Sequence, residues 1–143
     1  MVAAVAALVG ALAAPSERER RDDLLEVGQR VTVGITSYDY NDLDASREAV
    51  LADALPSFEL QFEQLLDGSG LSDALRSNEA VAAGEIAVGP MVASLEDHEA
   101  RLFSVVEQQV KGKQTEPTTQ RLRVEVTLVE TPDGWRASNV EVT

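Results

Sequence analysis

"QRLRVEVTLVETPDGWRASNVEV", residues 120–142, decides the fold. Leu122, Val124, Val126 and Leu128 alternate with Arg121, Arg123, Glu125 and Thr127. Side chains on a strand point to opposite faces in turn, so this is a half-buried strand with one dry and one wet face. "TPDG" then reverses the chain. Pro132 presets φ, Asp133 accepts a local hydrogen bond, and Gly134 takes the positive φ that such a turn requires. "WRASNVEV" returns as the partner strand. Its apolar parity shifts between Trp135/Ala137 and Val140/Val142, which predicts a bulge.

Upstream of this hairpin the chain continues to read as sheet. "EARLFSVVEQQVKG" places Leu102, Val106 and Val110 on one face and Phe103 and Val105 on the other. "EAVAAGEIAVGPMVASL" is small, apolar and β-tolerant. "KGKQTEPTT", residues 111–119, is polar and suits a hairpin loop.

The first half has a helical period instead. Leu24, Val27, Val31, Ile35 and Tyr38 are spaced three, four, four and three apart, one face of a helix. Local propensity objects, because "VTVGIT" is β-branched and would read as a strand alone. The apolar pattern runs longer than a usual strand, and a helix is expected. Asp44 is the expected N-cap of the next helix. Pro56 breaks that run and opens another helix carrying Phe58 and Phe62, which Gly68 and Gly70 end. "LSDALRSN" adds one or two helical turns. Helices followed by a strand meander predict an α+β fold, with N-terminal helices packed on a curved antiparallel sheet of about four strands.

Composition narrows the function. Twenty-five acids against 12 Lys and Arg give a net charge of −13, which repels nucleic acid. The chain has no cysteine, so disulfides, thiolate metal sites and cysteine nucleophiles are all excluded. "MVAAVAALVGALAA", residues 1–14, is uncharged and ended by Pro15. Fourteen residues of helix span about 21 Å at about 1.5 Å per residue, short of a hydrocarbon core of about 30 Å. Three readings stand: the remnant of a membrane anchor, a signal-peptide h-region with Ala11-Leu12-Ala13 as a small-x-small site, or a buried helix. The anchor remnant is preferred, which divides the chain into an apolar segment, 1–15, and one α+β domain, 16–143.

Candidate chemistry is sparse. Asp39, Asp42 and Asp44 crowd "ITSYDYNDLD", but their spacing departs from a calcium loop and no Gly occupies the bend. They read better as a helix end, a turn and a cap, with Tyr38 facing inward. His98 is the lone histidine and lies in a turn among Glu96, Asp97 and Glu99, where it reads as a solvated residue rather than a general base. Glu85 interrupts an apolar strand and reads as an acid on the wet face, with a cavity-facing base as the alternative. Trp135 is expected as a core anchor. No phosphate loop, dinucleotide fingerprint, zincin motif or nucleophile elbow occurs, so neither cofactor nor metal is expected.

Taken in order, these motifs resemble the Mce-associated membrane protein family of actinobacteria. "SYDYNDLD" is similar to its Ser-Tyr-Asp plus Leu-Asp segment, with Tyr38, Asp39 and Tyr40. "SFELQFEQLL" resembles its Phe-centred helix, with Phe58 and Phe62. "ARLFSVVEQQV" resembles its second strand, with Gln108 or Gln109 near the end. The Arg-rich strand, Asp-Gly-Trp turn and Trp135 resemble its last hairpin. The resemblance implies a single-pass cell-membrane protein with an extracytoplasmic domain of the cone-shaped nuclear transport factor 2-like type. It implies a non-catalytic accessory role beside Mce transporter subunits that move lipids or sterols, and it carries over no catalytic residue. The alternative is a pocket protein of the same fold, binding a hydrophobic ligand or acting as an isomerase or hydrolase through Glu85, Asp39 or His98. An enclosed apolar pocket with an acid pointing into it would distinguish the two.

Overall fold

The computed structural model describes residues 16–143, so the apolar segment 1–15 lies outside the described residues. Helix α1 runs Glu17–Ile35 and opens on a capping box. The Ser16 hydroxyl accepts from the Glu19 N–H at 3.2 Å, and the Glu19 carboxylate accepts from the Ser16 N–H at 3.3 Å. Leu24, Val27 and Val31 form its buried stripe. Tertiary burial outweighs the strand propensity of "VTVGIT", since each buried Leu or Val contributes about 1.5–3 kcal/mol against helix penalties below about 1 kcal/mol. The two threonines are also satisfied within the helix. Thr32 donates to the Gly28 carbonyl at 2.7 Å, and Thr36 donates to that of Thr32 at 2.8 Å.

The helix ends before Tyr38, one step earlier than its apolar spacing suggested. Tyr38–Asp39 instead forms a two-residue strand, β1, followed by a 3₁₀ turn at Tyr40–Asp42. Helix α2 is Leu43–Leu51. Its cap is Asp42, whose carboxylate accepts from the Ala45 N–H at 3.0 Å, and not Asp44 as expected. Leu43 is already helical, which leaves Asp44 inside the first turn, where its charge suits the helix dipole. Helix α3, Pro56–Glu63, starts with Pro56 at its first turn as expected. It continues into a π-turn at Gln64–Gly68, and α4 spans Leu71–Ser77.

Four long strands follow: β2 (Val81–Glu96), β3 (Glu99–Lys111), β4 (Thr118–Thr131) and β5 (Gly134–Val142). They pair antiparallel in the order β1-β2-β3-β4-β5, a five-stranded meander. The extra strand beyond the expected four is β1, too short to leave a period in the sequence. Thr131 pairs with Gly134 across the turn, where Gly134 has φ +105°. The register slips between Thr127↔Asn139 and Leu128↔Ala137, so Ser138 is the bulged residue that the parity shift predicted. Three register shifts along β2 bend that edge of the sheet.

One face of the sheet is dry. Val124, Val126 and Leu128 on β4 are at most 1% exposed, and Leu102 and Val106 on β3 lie beside them. α1 crosses this face, and Phe58 and Phe62 of α3 pack into the same core with ring centroids 6.1 Å apart. This is the α+β arrangement expected, with the helical layer on one side of an antiparallel sheet. The approach of α1 is close. A Cβ at Gly28 would lie 2.2 Å from Leu102 Cδ1.

The helical layer also closes one sheet edge. The Ala137 N–H donates to the Asp53 carbonyl at 2.6 Å, and the Leu55 N–H donates to the Ala137 carbonyl at 2.8 Å. The α2–α3 link thereby borders β5 along its free side. Beyond Ala82, the outer edge of β2 has no strand partner among the described residues.

Candidate functional site

The helical layer and its junction with the sheet each carry a concavity among the described residues. The first is an apolar cleft of about 200 Å³ between the end of α1, helix α2, and the α3–α4 segment. Ile35, Leu43, Phe62, Leu66 and Leu75 supply its walls, with Tyr38, Ser46 and Arg47 as polar members. Tyr38 reaches it because β1 pairs Tyr38 with Ala82 and turns the ring under the helices. Burial pushes the Tyr38 hydroxyl above its ordinary value, since the phenolate would lose hydration. Arg47 reaches from α2 to Asp67 on the π-turn at 2.9 Å, tying the two sides of the helical layer. No Asp, Glu or His is among the lining residues.

The second place is an open depression of about 530 Å³ at the start of α1, bounded by Arg20, His98, Glu130 and Trp135. Arg20 holds Glu130 through two bonds, Nε to Oε2 at 2.8 Å and Nη2 to Oε1 at 2.7 Å. His98 Nδ1 lies 3.1 Å from the same Oε1. The hydrogen bond from Arg20 keeps the Glu130 carboxyl below its ordinary range, with His98 adding to the effect. The indole N–H of Trp135 donates to the Arg20 carbonyl at 3.2 Å, so a buried anchor supports the cluster from beneath. Every carboxylate oxygen of Glu130 is thus engaged in joining α1 to the sheet.

The residues singled out from the sequence do not converge. Glu85 is exposed on the wet face of β2, opposite Glu107. The Asp39 carboxylate accepts from the Asn41 N–H at 2.9 Å and shapes the turn after α1. His98 is at the β2–β3 turn, where its near neighbour is Glu130 from β4. Tyr40 donates its backbone N–H to the Ala80 carbonyl at 3.1 Å. Among the described residues, no group of three or more His, Cys, Asp or Glu is placed to hold a metal ion.

Gln108 is the buried member of the two glutamines; Gln109 is exposed. Its Nε2 donates to the Thr36 carbonyl at the end of α1, 2.8 Å away, and its Oε1 accepts from Gln120 on β4 at 2.5 Å. A second polar clamp was not legible beforehand. Asp53, 6% exposed, accepts from Arg30 Nε and Nη2 at 3.0 and 3.1 Å, and lies 3.5 Å from Arg136 Nη1. Hydrogen bonding to Asp53 raises the Arg30 guanidinium above its ordinary value. The partners lie 23 and 83 residues away, so no local pattern announces them.

No family model matches the chain, and no curated protein matches it. Solved structures do match in fold. An IcmL-like type IV secretion system protein from Legionella pneumophila aligns with TM-score 0.74 and 13% identity, over 90% of this chain and 93% of that one. The periplasmic domain of DotI aligns with TM-score 0.69 and 15% identity, over 91% and 96%. The VirB8 protein of Agrobacterium tumefaciens aligns with TM-score 0.69 and 9% identity, over 91% and 96%. The same fold is found in a candidate aromatic ring hydroxylase from Novosphingobium aromaticivorans, with TM-score 0.58 and 15% identity over 85% and 87%. The Mce-associated resemblance therefore stands on the sequence motifs alone, and the solved structures similar in fold include several secretion components. The chain has a nuclear transport factor 2-like fold, the kind seen in the VirB8 structure.

Proposed function

We propose that this chain is a membrane-tethered, non-catalytic accessory subunit of an envelope complex, acting through protein contact. Residues 1–15 are the tether in this reading, and 16–143 are the extracytoplasmic domain. The observation that carries it is the filled interior. Leu24, Val31, Phe58, Leu102, Val126 and Leu128 are each at most 2% exposed and occupy the space between helices and sheet. The interior holds the chain's own side chains, while Asp39 shapes a turn, Asp42 caps a helix, Asp53, His98 and Glu130 form ion pairs, and Glu85 is exposed. The fold likeness to type IV secretion proteins supports a contact role, since the IcmL-like protein and CagV, a VirB8 homolog of Helicobacter pylori, are named as parts of such systems.

The particular complex is an Mce-type lipid or sterol importer, on the strength of the "SYDYNDLD", "SFELQFEQLL" and Asp-Gly-Trp motifs. A second reading, favoured by the fold likeness, places it in a secretion-type assembly. Among the described residues no helix is long and apolar enough to cross a membrane, so tethering falls to residues 1–15. Affinity capture of the full chain from solubilised envelope membranes tests both. Stoichiometric recovery of importer subunits is expected. Recovery of secretion subunits favours the second reading, and recovery of the chain alone contradicts both.

A further inference from the structure

The negative charge of this protein is concentrated on one part of the helical layer. Residues 39–80 hold ten acids against two bases, Arg47 and Arg76, a net −8 of the chain's −13. Glu59, Glu63 and Asp67 recur every four residues along α3 and the π-turn, which places them on one side of that segment. Asp44 and Glu48 are exposed in the same way on α2. Arg47, the base nearest the cleft, already pairs with Asp67.

Apolar surface is exposed within this acidic region. Leu60 is 59% exposed and Leu65 50% exposed, among the most exposed large apolar side chains of the described residues. Leu65 stands on the wall of the apolar cleft, whose volume is about 200 Å³. Small-molecule sites are usually about 300–1,000 Å³, so the cleft suits one or two inserted side chains better than a whole ligand. The charge selects among occupants. Anionic lipid headgroups and fatty carboxylates are repelled by this acidic surface, and a second copy docked through it would set like charges together. A basic partner gains from the same field.

We infer that the cleft and the α2–α4 surface form a docking site for a basic amphipathic helix of a partner protein. Apolar anchors of that helix enter beside Leu65, and its Lys or Arg residues face Glu59, Glu63, Asp67 and Glu48. The geometry is that of a helix laid in a groove. This inference rests on the contact role proposed above and assigns it a surface.

The test uses the full 143-residue chain and three fluorescent 18-residue peptides. One is a Leu/Lys amphipathic helix, one a scramble of equal composition, and one its Leu/Glu counterpart. The Leu/Lys helix is expected to bind at least about tenfold tighter than the scramble, with affinity falling as salt screens the charges. The Leu/Glu helix is expected not to bind. Amide shifts in the NMR spectrum of the labelled chain should cluster within residues 43–75. Leu60→Ser with Leu65→Ser should weaken binding at least about tenfold while far-UV circular dichroism stays unchanged, as both side chains are exposed. Equal binding of the scramble, shifts on the sheet's outer face, no binding, or undiminished binding by the double variant would each overturn the inference. The contact role fails separately, when the full chain captures no envelope protein.

Discussion

Arg20 and Glu130, 110 residues apart, meet as a two-pronged pair at 2.7 and 2.8 Å that pins the first turns of α1 to the end of β4. His98 and Trp135 complete the junction from the two neighbouring turns.

The pair makes stability depend on acid. Glu130 has its carboxyl depressed in the folded chain, so its contribution is present above the ordinary glutamate value of 4.5 and is lost as pH falls through the lower folded value. Glu130→Gln should lower the melting temperature at pH 7. The difference from wild type should shrink as pH drops below 4.5. A difference unchanged from pH 7 to pH 2 would show that Glu130 stabilises the fold by other means.

Gly28 lets α1 sit against the sheet. Alanine in a helix interior is normally favoured over Gly by about 1 kcal/mol. Here the new methyl would come within 2.2 Å of Leu102 Cδ1, and Leu102 is 1% exposed with little room to move. Overpacking costs about 1–3 kcal/mol, so Gly28→Ala should destabilise despite its better propensity. In a Leu102→Ala background, Gly28→Ala should cost less than in the wild-type chain, measured by urea unfolding as a double-mutant cycle.

Asp53 links α1, the α2–α3 connection and β5 through Arg30 and Arg136. Both arginines keep contact with water, so removing the acid leaves neither stranded. Asp53→Ala should cost about 1.5–3 kcal/mol, the range for hydrogen bonds to charged groups. Hydrogen exchange should quicken at the Leu55 and Ala137 amides, which bond across this edge. Unchanged exchange there would separate the clamp from edge closure.

The two adjacent glutamines should behave differently. Gln108→Ala removes the partner of the Thr36 carbonyl and of Gln120, and should cost about 1–3 kcal/mol. Gln109→Ala, on the exposed face, should stay within about 0.5 kcal/mol. Thermal melts of the two variants decide the matter, and equal losses would contradict the assignment of Gln108 as the bridge.

Much of the architecture was legible because burial leaves a period. The alternation at Leu122–Leu128, the TPDG turn and the shifted parity around Ser138 were each readable, as was the long spacing of α1. Pro56 marked a helix start through its fixed φ. Short or long-range features were not legible. β1 has two residues and therefore no period, and Asp42 and Asp44 are equally good caps until the first helical residue is known. The Arg20–Glu130 and Asp53 clamps join residues far apart in the chain, and an acid in a polar stretch looks the same whether solvated or clamped. Of the proposed docking surface only the cluster Asp39, Asp42 and Asp44 stood out in the sequence; that Leu60 and Leu65 are exposed among further acids did not, since Leu in a helical period reads as core.

Photo-crosslinking in living cells tests the contact role most directly. A photoreactive side chain is installed at one exposed position of residues 16–143 at a time, and the products are identified by mass spectrometry. A contiguous set of positions should yield adducts of one defined mass, each joining the chain to the same envelope protein. Adducts scattered over unrelated abundant proteins, or none from any position, would contradict a subunit that works by holding a partner.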